Sequence, residues 1–265
     1  GNFHGRTITV ISMSTDPDAR GGFGPYTPGF VTVPYNDLKA LEKELQDSNV
    51  AAFLVEPIQG EAGVYVPDDG YLTRSYELCK KHNVLFIADE VQTGIARTGK
   101  LLACDHENVR PDILILGKAL SGGVYPVSAV LADDDIMLCI QPGQHGSTFG
   151  GNPVASKVAM AALEVVKDEK LAENAEYLGE IFRAEMRKIK SDMISVVRGK
   201  GLLNAIVIQP KGGKTAWDVC VRMKEYGVLA KPTHDHIIRF APPLVINETQ
   251  LHEAIDLIKQ AILSF

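Results

Sequence analysis

Val84-Leu-Phe-Ile-Ala88-Asp89-Glu90 and Asp112-Ile-Leu-Ile-Leu-Gly-Lys118-Ala-Leu-Ser-Gly-Gly123 are short apolar runs that end on ionisable residues. A run of this length without polar alternation suits a strand buried on both faces, the habit of parallel sheets covered by helices on either side. Ala51 to Val55 and Val127 to Leu131 have the same character, and Tyr71 to His82 has helical spacing and enough length for a crossover. Such runs alternating with amphipathic stretches predict an α/β fold with a mostly parallel sheet.

The ends of these strands carry the chemistry. In open α/β sheets ligands gather at the carboxyl ends of the strands, so Asp89 and Lys118 can face one crevice. A lysine ending a buried strand is expected to be poorly solvated, and desolvation favours the neutral amine, the form that attacks an aldehyde to make a Schiff base. The alternative is a surface lysine whose stem lies over the sheet edge. A carboxylate at Asp89 would keep a pyridine nitrogen protonated, as pyridoxal chemistry requires. An acid after a strand can equally be a helix cap.

Farther along, Asn152-Pro153 opens a long helix, Asn as cap and Pro at the first helical position, with Val154, Val158, Ala161, Ala162 and Val165 as its apolar face. A charged helical stretch follows through Lys190. The pattern then changes to Val196-Val197, a Gly-Lys-Gly turn and a strand from Leu202 to Ile208. We place a sheet domain at 1–165 and a smaller α+β domain at 166–265. The latter adds a helix from Thr215 to Tyr226, a strand from Ile237 to Phe240, and a last helix. Asn247 and Gln250 form a capping box for that helix, whose stripe is Leu251, Ile255, Ile258 and Ile262.

The 265 residues, 45% hydrophobic and 23% charged, allow a buried core and an enclosed site. With 27 basic and 33 acidic residues the net charge is −6 and neither sign is gathered into blocks, which argues against a nucleic-acid partner. No stretch approaches the roughly 18 unbroken apolar residues of a membrane span. Cys79, Cys104, Cys139 and Cys220 have no Cys-x-x-Cys spacing and read as reduced, inert thiols. His234-x-His236 has no third ligand nearby, so no metal is expected. The other histidines form no arrangement that suggests chemistry.

Three motifs together resemble the class III pyridoxal-phosphate aminotransferases. They are Val55-Glu56-Pro57-Ile58-Gln59-Gly60-Glu61, Ala88-Asp89-Glu90-Val91-Gln92-Thr93-Gly94 and Leu116-Gly117-Lys118-Ala119-Leu120-Ser121-Gly122-Gly123, in the family's order and at its separations. The likeness runs through Arg239-Phe-Ala-Pro-Pro243. It implies the type I aminotransferase fold, pyridoxal 5'-phosphate as cofactor and a homodimer or higher homo-oligomer. Asn2-Phe3-His4-Gly5-Arg6-Thr7, Glu107-Asn-Val-Arg-Pro111 and Gly201-Leu-Leu-Asn-Ala205 look most like the members that move the δ-amino group of L-ornithine to 2-oxoglutarate. Acetylornithine and 4-aminobutyrate are the alternative donors.

By the same resemblance, Lys118 carries the cofactor and shuttles the proton between substrate and cofactor, while Asp89 pairs with the pyridinium nitrogen. Gln92 lies near the ring hydroxyl and Phe3 stacks on the ring. Ser147 and Thr148 reach the cofactor phosphate of a partner subunit. Arg6 and Arg239 anchor substrate carboxylates, Glu61 pairs with Arg239 when the substrate does not need it, and Glu56 supports the site from behind. Family members carry a further segment ahead of Asn2, including a phosphate-binding loop at a helix start. The expectation is therefore an aminotransferase lacking its N-terminal part, or a non-catalytic fragment acting by association. A mitochondrial matrix location, with the cytoplasm as alternative, is implied by the resemblance alone.

Overall fold

A computed structural model describes all residues, 1–265. The chain forms two compact units. One comprises residues 1–57, 67–95 and 102–169, and the other comprises 58–66, 96–101 and 170–265. The chain therefore leaves the first unit twice for short excursions before it joins the second for good.

The first unit holds α1 (Ile8–Ser12), α2 (Pro17–Arg20), α3 (Leu38–Glu44), β1 (Ala52–Val55), α4 (Tyr71–Lys81), β2 (Leu85–Asp89), β3 (Ile113–Leu116), β4 (Ala129–Ala132), α5 (Asp134–Met137) and α6 (Pro153–Asp168). Its sheet has the order β1-β2-β3-β4, parallel except that β4 runs antiparallel to β3. Helices α3 and α4 supply the core on one face, where Leu41, Leu72 and Cys79 pack with Val55 and Phe86. Phe86 is fully buried and meets Phe53 and Tyr76 edge-on at 5.9 and 5.8 Å. Burying that one side chain is worth roughly 1.5–3 kcal/mol.

Expectation and structure differ at the far edge of this sheet. β3 is half-buried along its whole length, and Val130 and Leu131 on β4 are exposed. The cap of α6 is as read, Asn152 Oδ1 accepting from Ala155 N–H at 2.9 Å. Its apolar face, however, is not core: among the residues of α6 only Ala155 is buried, while Val154 and Val165 are exposed. Periodicity reports that a face is apolar, not what covers it.

The second unit holds α7 (Leu171–Lys188), β5 (Ile194–Lys200), β6 (Leu203–Ile208), α8 (Ala216–Glu225), β7 (Lys231–Thr233), β8 (Ile237–Phe240) and α9 (Glu248–Leu263). Its sheet, in the order β5-β6-β8-β7, is antiparallel throughout. The core lies between this sheet and the three helices, with Phe182, Met186, Ile206, Met223, Ile238 and Ile258 at its centre. Asn247 caps α9 in the predicted box with Gln250. A second, small cluster holds the 58–66 excursion, Ile58 and Val64 packing on Leu203, Ala205 and Ile237. Gly63, at φ 122°, allows this approach: a Cβ there would fall 2.5 Å from Ile237 Cδ1.

Candidate active site

In the first unit the site is built on the carboxyl ends of three neighbouring strands. Glu56 follows β1, Asp89 ends β2, and Lys118 lies two residues beyond β3. The β2–β3 register sets Asp89 against Ile115, so Lys118 leaves the next strand three residues past that level. Asp89 is almost fully buried. Its Oδ2 meets His4 Nδ1 at 2.8 Å and its Oδ1 accepts from Val91 N–H at 3.1 Å. The hydrogen bond to Asp89 raises the His4 pKa above its ordinary value, outweighing desolvation. The two contacts leave acceptor capacity on the carboxylate, which has about four lone-pair positions.

The residues around this pair are held from behind. Buried Glu56 accepts from Phe3 N–H at 2.7 Å through Oε1, which fixes the backbone entering His4. Phe3 is half-buried, with the Arg6 guanidinium 5.5 Å from its ring centre. Glu90 turns into the protein, accepting from the Thr93 hydroxyl and from Cys104 N–H. Burial raises its pKa, and it ties the exit of β2 to the turn at 103–106. Gln92 is half-buried three residues beyond Asp89.

Lys118 sits at φ 43°, in the left-handed region that a non-glycine residue seldom occupies without a reason. The expectation of poor solvation is not met, for Lys118 is exposed. The residues that follow it, Gly122 to Pro126, are exposed too. Ser147 and Thr148 belong to an exposed loop in which Ser147 Oγ accepts from Gly150 N–H at 2.9 Å.

In the second unit Arg239 on β8 meets the 58–66 excursion. Its Nη1 donates to Gly60 O at 2.9 Å and its Nη2 to Glu61 Oε1 at 3.0 Å. The excursion is pinned further on by Thr233 Oγ1 donating to Glu61 O at 3.1 Å and by Arg198 donating to Gly63 O at 2.8 Å. Glu61 Oε2 accepts from Lys231 Nζ at 3.0 Å. Burial alone would raise the Glu61 carboxyl, but the hydrogen bond from Lys231 and the Arg239 charge outweigh it and hold it below the ordinary range.

Two residues in this arrangement escaped the sequence reading. His4 stood inside a motif already singled out, beside Phe3, and that adjacency was the available signal. Lys231 had none, because its place opposite Arg239 depends on the β7–β8 register.

The sequence pattern of the family Aminotransferase class-III matches residues 1–262. The chain belongs to the class-III aminotransferases. It is 65% identical over 265 residues to the mitochondrial ornithine aminotransferase of Rattus norvegicus, covering all of this chain and 60% of the relative. The solved ornithine aminotransferase of Toxoplasma gondii, with pyridoxal phosphate partly occupying its active site, superposes with a TM-score of 0.97. That match is at 53% identity and covers 99% of this chain and 62% of the other. The acetylornithine aminotransferase of Elizabethkingia anophelis matches at 67% identity with a TM-score of 0.87, over 90% of this chain and 64% of the other. The chain thus spans about 60% of the length of the curated relatives it matches. The family's α/β fold is the one read from the strands.

Proposed function

We propose that the protein transfers the δ-amino group of L-ornithine to 2-oxoglutarate, giving glutamate semialdehyde and glutamate, with pyridoxal 5'-phosphate as cofactor. The observation that carries this reading is the pair of buried Asp89 and half-buried His4 at the exit of β2, one strand away from Lys118. The donor set fits the cofactor: an amine for its aldehyde, a buried carboxylate with spare acceptor capacity for its ring nitrogen, and an aromatic ring at Phe3. When bound, the cofactor supplies an electron sink that acidifies the carbon bearing the substrate's amine. Lys118 Nζ would hold it and move the proton at that carbon. Asp89, oriented by His4, would keep the ring nitrogen protonated, and Gln92 would take the ring hydroxyl. Ser147 and Thr148 serve the phosphate in a neighbouring subunit of a homo-oligomer.

Arg6 and Arg239 anchor carboxylates, for which a planar guanidinium fork is well suited. Glutamate must present its α-carboxylate to Arg239, whereas ornithine reacting at its distal amine has none to place there. Glu61 held on Arg239 makes capture of ornithine's α-carboxylate cost a charge-assisted bond. A penalty of about 1.4 kcal/mol already shifts the preference tenfold. A mitochondrial site of action is supported by the names of the rat and Drosophila melanogaster relatives.

The test is the complete enzyme given ornithine labelled with nitrogen-15 at the δ-position and 2-oxoglutarate. Labelled glutamate and the pyrroline formed from the semialdehyde are expected. Acetylornithine, the donor in the name of the Elizabethkingia anophelis relative, is run in parallel, and faster turnover of it would replace ornithine in this reading. Glu61→Ala should retain or improve glutamate binding and release the α-keto acid from ornithine. An unchanged product ratio removes the role given to Glu61.

A further inference from the structure

We infer that Lys231 determines specificity by acting as a standing second partner for Glu61, so that Glu61 can give up Arg239 to an incoming dicarboxylate. The inference rests on the role proposed for Glu61 and adds the residue that makes that role reversible. Lys231 and Arg239 are directly paired across β7 and β8, so their side chains leave the same face. Two cations so placed repel each other unless an anion lies between them. Glu61 is that anion, and it is shared: Oε1 on Arg239 Nη2 and Oε2 on Lys231 Nζ, both at 3.0 Å. The two cations differ in setting, the Arg239 side chain being 12% exposed and the Lys231 side chain 62%.

This asymmetry suits an exchange. When a substrate carboxylate takes Arg239, Glu61 would be left partly buried beside a second anion, a costly position for an unpaired charge. Lys231 removes that cost. Its ammonium sits on a flexible four-carbon stem and can follow Glu61 as that side chain moves off Arg239. Without Lys231, Glu61 has only Arg239 to hold.

The sign of the effect follows. Lys231→Met should weaken dicarboxylates and spare ornithine, the reverse of Glu61→Ala. The complete enzyme and its Lys231→Met, Lys231→Arg, Glu61→Ala and Glu61→Ala/Lys231→Met variants are titrated by calorimetry with glutarate, a five-carbon dicarboxylate without a reactive group. The two half-reactions are followed separately with glutamate and with ornithine. Lys231→Met is expected to weaken glutarate and raise the KM for glutamate by about tenfold, the factor that a coupling of about 1.4 kcal/mol gives. The kcat and the ornithine half-reaction stay within twofold, and Lys231→Arg restores binding. In the Glu61→Ala background the effect of Lys231→Met should shrink to twofold or less, because the partner it acts through is gone. A similar loss in both backgrounds would make Lys231 a mere source of positive charge and overturn the inference, as would unaltered glutarate affinity in Lys231→Met. If Glu61→Ala itself changes neither glutarate binding nor the products, the underlying role of Glu61 fails, and that outcome is distinct from the other two.

Discussion

At the scale of single residues, the Asp89–His4 contact makes a prediction that needs no substrate. His4 is raised above its ordinary pKa, so the pair contributes stability that is fully present below about pH 6.5 and is lost as pH rises through the raised value. The His4 ring, followed by NMR in the complete protein and assigned by its loss in His4→Gln, should titrate above 6.5. The stability difference between the protein and His4→Gln should be larger at pH 6 than at pH 9; an equal difference at both would mean that the pair does not hold a proton. Lys118 tests the chemistry. In the complete protein Lys118→Ala is expected to lower turnover by several orders of magnitude, since the proposed function gives one side chain both the cofactor and the proton transfer. Borohydride treatment followed by peptide mass analysis should attach the cofactor to Lys118 in the parent and to no other lysine in the variant.

At the scale of elements, α7 and the turn between β5 and β6 approach more closely than side chains allow. A Cβ on Gly179 would fall 1.8 Å from the carbonyl oxygen of Gly201, which also accepts from Arg183 Nη1 at 2.9 Å. Gly179→Ala must push backbone against backbone, and a loss of about 3 kcal/mol is expected in denaturant unfolding. Glu180→Ala, next along on the exposed side, should stay within about 0.5 kcal/mol. The same elements show what a sequence reveals. β3 and β8 were legible because apolar runs ended cleanly, and α6 and α9 because Asn caps mark a helix start. The short strand β7, Lys-Pro-Thr, carries no alternation to read, and with it went Lys231, half of the Glu61 site. Only the start of the excursion, Ile58 to Glu61, fell in a motif read from the sequence, and its packing on β6 and β8 depends on contacts far apart in the chain. The solvation of Lys118 failed for a related reason: a buried-type strand predicts what lies beside it, not what covers its end.

At the scale of the whole molecule, the apolar surface left open is the feature with the plainest consequence. Its longest run is residues 124–165 of the first unit, where Val124 is 78% exposed, Phe149 75% and Val154 62%. Exposed hydrophobic residues scattered singly need no explanation, since much of any protein surface is apolar. Here they recur on consecutive parts of one stretch: the edge strand β4, the turns around α5, and the stripe of α6, whose spacing is that of a helix built to be covered. β4 adds an edge open to pairing, because its one partner in the sheet is β3. Covering roughly 400 Å² of apolar area at about 25 cal/mol per Å² gives on the order of 10 kcal/mol, enough to offset much of the entropy lost on association. The 265-residue chain by itself is therefore expected to self-associate at micromolar concentration, and sedimentation velocity should show species larger than 28.8 kDa that grow with concentration. Charge repulsion is the competing effect, but a net −6 spread without blocks is weak against such an area at physiological salt, where the screening length is about 8 Å. Val154→Glu with Met160→Glu places charges on the open side of α6 without touching its one buried residue, Ala155, and should return the chain toward monomer with unchanged helix content. A chain that sediments as a concentration-independent monomer before any substitution would show that this face is tolerated in water, and the expected role of α6 as a covered helix would go with it.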